Sequence, residues 1–319
     1  MASMKNTCAR LLAGIAVAAA FGGGAARAQS FPVQMAKHQS SYFKGVGPVV
    51  LPTYHVTFIV SHQATAVGGI GARARMTKVL SGVDEATLRR LTDEAHADLK
   101  AQFAAAGYTV AGDEQARAMV AAAAIPALPG NVEMVSGEGG ITVNKSVRDG
   151  YVTMGPSSAP ALAPYKYGAN YLGQIGFNNR LAKGQPKDTL AVLPHLVVDF
   201  ANMEAGTGSR FGGRATATVG GDVAFSIRGV ASNVTVVKVL DRDRMFPASI
   251  RPERDYGVAT PFATQQAGGA AVRPLSIAGN SVTRGDAVVV DLPAWENLVR
   301  AAYKSYNAAI VAAVVKGRG

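Results

Sequence analysis

LPHLVVDFANM (193–203), a glycine-rich link, and then GRATATVGGDVAFSIRGVASNVTVVKVL (213–240) form the longest part of the chain with a period-two pattern. Leu196, Val198 and Phe200 point to one side of an extended strand, and Val197, Asp199 and Ala201 to the other. Past the link, Val223, Phe225 and Ile227 alternate with Ala224, Ser226 and Arg228. The pair Gly220-Gly221 tolerates the positive φ angles of a two-residue hairpin turn, so a turn is predicted there. The reading is a β-sheet.

Working outward, Tyr54, Val56, Phe58 and Val60 alternate with His55, Thr57, Ile59 and Ser61, and Gly68-Gly69 precedes a second alternating run from Ala72 to Val79. A hairpin is therefore predicted over about 54–80. Asp84 is placed to cap a helix whose apolar stripe is Leu88, Leu91, Ala95, Leu99, Phe103 and Ala106, ended by Gly107. Asp113 is predicted to cap a second helix that Pro126 stops. At the far end, Asp291 and Pro293 open a helix carrying Trp295, Leu298, Val299, Ala302, Tyr303, Ile310, Ala313 and Val314 on one stripe.

These elements predict an α+β (mixed α/β) fold. An antiparallel or mixed sheet carries the two long amphipathic helices on one face. Between them, residues 125–190 read as a Pro/Gly/Tyr-rich insertion without a strong period, apart from a short helix over 170–182. Its tyrosines Tyr165, Tyr167 and Tyr171 either contact a partner or pin the segment to the body. If they make a contact surface, deleting 156–182 should abolish partner recovery and spare the fold.

Length and composition bound the rest. Lys5 and Arg10, the apolar run 11–21 and Ala26-Arg27-Ala28 read as a signal peptide cleaved after Ala28. The apolar run is short of the roughly 20 residues a spanning helix needs, so no transmembrane helix is expected once the leader is removed. The expected mature chain, 29–319, is long enough for one α/β domain and is placed in the periplasm or outside the cell. The single cysteine, Cys8, leaves with the leader, which excludes disulfides and thiolate chemistry. The mature chain keeps 29 basic against 21 acidic residues, a net +8 that favours an anionic surface component or an envelope protein as partner. Basic residues do not cluster in sequence, so nucleic acid is not expected.

Candidate chemistry is sparse. Histidines 38, 55, 62, 96 and 195 show no metal-ligand spacing. His55 and His62 fall on opposite faces of their strand unless a bulge intervenes, and His96 and Asp98 diverge on a helix. Asp199 is a candidate acid, or else it faces solvent or pairs with a nearby arginine. Ser209, in Gly206-Thr207-Gly208-Ser209, has neither a nucleophile elbow nor a phosphate-binding ending. No catalytic, cofactor-binding or metal-binding residue is assigned, and no cofactor is expected.

LKAQFAAAGYTVAGDEQARAMV (99–120), LVVDF (196–200) and SNVTVVKVLDRD (232–243) resemble, in order and kind, the curli-secretion-channel component and its envelope relatives. Those relatives are the outer-membrane activators of peptidoglycan synthases and the N-terminal domain of the Tol translocation protein. The likeness spans about half of the mature chain; the lipidation cysteine it would lead one to expect is absent, and no site residue carries over. It implies an exported, non-catalytic envelope protein that binds or helps assemble a partner, with homo-oligomerisation left open. Two alternatives stand beside it. One is an oligomeric outer-membrane pore in which the two hairpins supply barrel strands. The other is a secreted enzyme, marked by a pocket where Asp199, a histidine and a tyrosine converge.

Overall fold

The computed structural model describes residues 31–37, 40–68, 72–135, 145–169, 171–208, 216–240, 245–258, 260–267, 271–272 and 283–317. The expected leader, His38, Ser209 and the charged run 241–244 lie outside the described residues.

In chain order the elements are β1 (Val49–Val50), β2 (His55–Gly68), β3 (Ala72–Ser81), α1 (Glu85–Ala105), α2 (Asp113–Ala122), β4 (Val132–Val135) and β5 (Lys145–Met154). They continue with α3 (Tyr171–Ala182), β6 (Leu190–Gly208), β7 (Thr216–Ile227), β8 (Asn233–Val239), β9 (Met245–Ile250), β10 (Tyr256–Val258), β11 (Ala263–Gln266), β12 (Ala271–Val272), β13 (Thr283–Arg284), β14 (Asp286–Val290) and α4 (Leu292–Lys316). Twelve strands form one mixed sheet along β10-β7-β6-β2-β3-β14-β11, with β1 and β8 on β6, β9 on β8, β5 on β2 and β4 on β5. The β1–β6, β2–β6 and β3–β14 pairs are parallel and the others antiparallel. The fold is the expected α+β class, with a mixed sheet.

The two predicted long helices form where their caps place them. Asp84 accepts from Thr87 N at 2.8 Å and Asp291 from Ala294 N at 3.1 Å, each satisfying one amide that the first turn leaves unpaired. Gly107 takes φ +81°, the left-handed conformation that ends α1. Leu88, Leu91, Leu99 and Phe103 of α1 and Trp295, Leu298 and Ile310 of α4 share a core with Val56, Phe58, Leu196, Val198 and Ile227. Phe58 and Trp295 rings lie 6.0 Å apart. Each such buried side chain contributes about 1.5–3 kcal/mol, so this face carries much of the stability. Where α1 meets α4 the contacts are polar: Arg300 bonds Glu94 at 2.8 Å, and Asn307 joins the Ala95 carbonyl and Asp98 of α1 to the Tyr54 hydroxyl.

The opposite face has its own cover. Ala191 and Leu193 of β6, with Val237 and Val239 of β8, pack against Ala116, Met119 and Val120 of α2 and Leu181 of α3. The sheet is therefore clothed on both faces at its proximal end. Asp113 is the first residue of α2, not its cap; Gly112 holds that position and the Asp113 carboxylate bonds Lys100.

Two further readings change. Besides the expected short helix, α3, residues 125–190 contribute β4 and β5, and β5 pairs with β2 from Met154↔Val56 to Lys145↔Ala66. Its period was hidden because only Val152 and Met154 mark its core side, which continues through Gly150 to Arg148, while Asp149, Tyr151 and Thr153 take the other. Residues 242–284, rich in Gly, Pro and Ala, supply β9, β10 and β11. Gly220 and Gly221 are not a turn. They lie inside β7 opposite Glu204 and Met203, and the connection to β6 falls at 209–215, outside the described residues. Glycine is needed at 221 for space, because a Cβ there would stand 2.4 Å from Met203 Sδ and 2.6 Å from the Asn202 carbonyl.

Candidate functional site

β2 has different neighbours along its two halves. His55 to Phe58 lie beside β6, Ser61 to Gly68 beside β3, and β5 runs along the other edge. The change of neighbour coincides with a bulge: Ile59 faces Tyr151 and Ser61 faces Gly150, leaving Val60 extra. One inserted residue restores the side of everything after it. His55, Thr57 and His62 therefore all project from the face opposite α1 and α4, where His195, Asp199, Asp149, Tyr151 and Thr153 also point. The odd separation of His55 and His62 is cancelled by the bulge that the sequence reading allowed for.

At the distal end of this stripe His62, fully buried, bonds Asp149 through Nδ1 at 2.7 Å and Asp199 through Nε2 at 2.6 Å. Arg228 closes the ring, Nε to Asp199 Oδ2 at 2.6 Å and Nη1 to Asp149 Oδ2 at 2.5 Å. Asp199 Oδ1 also accepts from the Phe200 and Ala201 amides, and Tyr167 Oη lies 3.5 Å from Arg228 Nη1. Burial alone would push the His62 imidazole down. The hydrogen bonds that His62 donates to Asp149 and Asp199, with their charges, override it and raise the group from 6.5 to about 9. Burial would raise Asp149, but the His62 bond and the Arg228 charge hold it below the usual carboxylate value. Arg228 is likewise held cationic against burial by Asp199 and Asp149. Two cations face two anions, so the ring is charge-balanced.

The proximal histidines are the reverse case. His55 Nδ1 donates to the Tyr165 carbonyl at 3.0 Å and Nε2 accepts from Leu162 N at 2.8 Å, which fixes a neutral tautomer. Burial lowers His55 to about 4 and takes His195 well below its ordinary value. His195 Nε2 meets Thr57 Oγ1 at 2.7 Å, which in turn meets Thr153 Oγ1 at 2.6 Å.

The three tyrosines singled out above part company here. Tyr165 is buried, with its hydroxyl donating to Asn178 Oδ1 at 2.7 Å. Tyr167 is half-buried, its ring edge-on to Tyr151 at 4.7 Å and to His195 at 6.2 Å. Tyr171 opens α3, and its side chain lies outside the described residues. Tyr165 and Tyr167 thus cover the histidine stripe. Deleting 156–182 would remove both backbone partners of His55, so that deletion does not separate contact from folding. His96 and Asp98 diverge as expected: His96 Nδ1 lies 3.3 Å from Ser158 Oγ, while Asp98 accepts from Gln102 and Asn307.

Asp199 and Arg228 also line an open cleft of about 540 Å³ over β6, β7 and β10. Deep between β3 and β7, Lys78 is 1% exposed and donates to the Gly221 carbonyl at 2.6 Å and to Gln265 at 3.0 Å. Among the described residues no group of three or more His, Cys, Asp or Glu is placed to hold a metal ion, and no helix is long and apolar enough to cross a membrane. Asp199 was the one member of the ring that the sequence singled out with an arginine in view. Asp149 and Arg228 carried no motif, and only their strand positions could have found them.

No known protein family, curated protein or solved structure matches this chain.

Proposed function

We propose that the protein is an exported, non-catalytic component of the cell envelope that docks on an anionic surface. The observation that carries this reading is a row of arginines on the arm formed by β3, β2 and β5. Arg73 and Arg75 stand opposite Val67 and Thr65, and Arg148 stands opposite Gln63, so all three guanidinium groups rise from one side of the arm. Arg73 and Arg75 are exposed. The expected net +8 of the mature chain acts in the same direction. The proposed kinship with curli-channel-like envelope proteins agrees with it; the stretches that carry that kinship run through α1, α2, β6 and β8.

The test is co-sedimentation of residues 29–319 with vesicles containing phosphatidylglycerol and with vesicles of phosphatidylcholine alone. Each basic side chain near an anionic surface contributes about 1 kcal/mol, so Arg73→Gln with Arg75→Gln should weaken partition roughly thirty-fold. Added salt should weaken it too. Equal binding to both vesicles, or no effect of the double substitution, overturns the reading.

The enzyme alternative has one observation in its favour: Asp199, His62 and Tyr167 do converge beside a cleft. The chemistry of the ring weighs against it. An imidazolium with both nitrogens donating to carboxylates has no lone pair with which to accept a proton. The pore alternative would need an apolar band on the outer faces of the hairpins, where Arg73, Arg75, Asn202, Glu204, Thr218 and Asp222 are exposed.

A further inference from the structure

We propose that the cleft over β6, β7 and β10 binds the free amino terminus of a peptide, with its ammonium on Asp255 and its first carbonyl on Arg228. This site is independent of the arginine row on the β3–β2–β5 arm.

The donors and acceptors left over at the cleft wall argue for it. Arg228 uses Nε and Nη1 within the ring and, among the described residues, the two N–H groups of Nη2 have no partner. Asp255 uses Oδ1 to accept from Gly229 N at 2.7 Å and Val230 N at 3.4 Å, and among the described residues Oδ2 has no partner. Both groups line the cleft, as do Ser226 and Asn202. Because Asp255 is tied to the residue next to Arg228, the acceptor and the donor belong to one wall of the cleft without pairing with each other. That arrangement matches two groups on one small unit, a hydrogen-bond donor and a carbonyl one or two bonds away.

Charge sets the sign of the ligand. Among the described residues the charged groups lining the cleft are Asp199, Asp255 and Arg228, two anions against one cation. A carboxylate or phosphate would be repelled there, and a single ammonium is favoured. The carbonyl requirement at Arg228 Nη2 distinguishes an amino terminus from a simple amine. The size agrees: about 540 Å³ lies within the range of small-ligand sites and suits two or three residues. Val230, 74% exposed, offers apolar contact at the mouth for the first side chains.

Isothermal titration of residues 29–319 with Ala-Ala-Ala amide and with its N-acetylated form tests the site. Saturable binding of the free amine and none of the acetylated peptide is expected. Asp255→Asn retains an oxygen for the Gly229 amide but removes the charge, and should weaken binding at least about ten-fold with an unchanged melting temperature. Ser226→Trp, which fills the cleft, should abolish it. Arg73→Gln with Arg75→Gln should leave it unaltered, so a failure here is separable from a failure of vesicle binding. No binding by the native protein, equal binding of the acetylated peptide, or full affinity in Asp255→Asn overturns the proposal. If Asp255→Asn lowers the melting temperature, Ser226→Trp decides: retained affinity in that variant overturns the site.

Discussion

Replacing His62 with Gln should abolish a pH dependence of stability that the native protein shows between pH 6.5 and 9. In the unfolded chain the imidazole has its ordinary value of 6.5, whereas in the fold Asp149 and Asp199 raise it to about 9. A group whose value is raised by folding contributes its full stability below the unfolded value and loses it as pH rises through the folded one. The rise from 6.5 to about 9 corresponds to roughly 3 kcal/mol. The side chain is fully buried, so solvent screening does little to reduce it. Glutamine can still donate to one carboxylate, yet it brings no charge, so Asp149 and Asp199 then face Arg228 alone. The loss at neutral pH should be of the same size, since breaking a buried ion pair costs about 3–5 kcal/mol. Urea unfolding of both proteins from pH 5.5 to 9.5 gives the difference directly, because all other titrating groups are common to the two. The gap should be widest below pH 6.5 and close by roughly 3 kcal/mol toward pH 9. Parallel curves across that interval would refute the cationic assignment of His62.

Acid should act on a different set of groups. His55 and His96, each lowered by burial to about 4, contribute stability that is complete above 6.5 and is lost as pH falls from 6.5 toward 4. The native protein should therefore be most stable near neutrality, and a urea midpoint still rising between pH 6 and 4 would contradict this. Gly221→Ala should destabilise by about 1–3 kcal/mol, because its Cβ meets Met203 Sδ at 2.4 Å, whereas Gly220→Ala has nothing within 4 Å and should be close to neutral. Thermal melts that ranked the two alike would place the glycines outside β7. Trp295→Ala should cost about 3–5 kcal/mol by emptying the contact with Phe58. A small change in the unfolding midpoint would mean that α4 does not close that face.

The parts of the fold that were legible in the sequence are those set by local rules. Asp84 and Asp291 are caps with apolar stripes behind them, and α1 and α4 form where those signals stand. β6 and the β2–β3 hairpin announce themselves because one side of each is apolar. β5 does not, since its core side is apolar only at Val152 and Met154 while the other side carries Asp149, Tyr151 and Thr153, a mixture that resembles a loop when read residue by residue. Gly220-Gly221 shows the same ambiguity in another form. A glycine kept for close approach and a glycine kept for positive φ have the same letter, and only the pairing of β7 with Met203 separates them. The ring around His62 was the least legible feature. It depends on a one-residue bulge and on four side chains, three from β2, β5 and β6 and one just past the end of β7, none of which is adjacent to another in sequence.

The central claim is that this ring is complete and holds His62 as a cation, which leaves the protein no imidazole base at its most reactive-looking site. Nitrogen-15 spectra of protein with labelled histidine, recorded at pH 7.5, test it most directly once the His62 signals are assigned by loss in His62→Gln. Both ring nitrogens of His62 should be protonated. One unprotonated nitrogen, free to take a proton from a substrate, would contradict it.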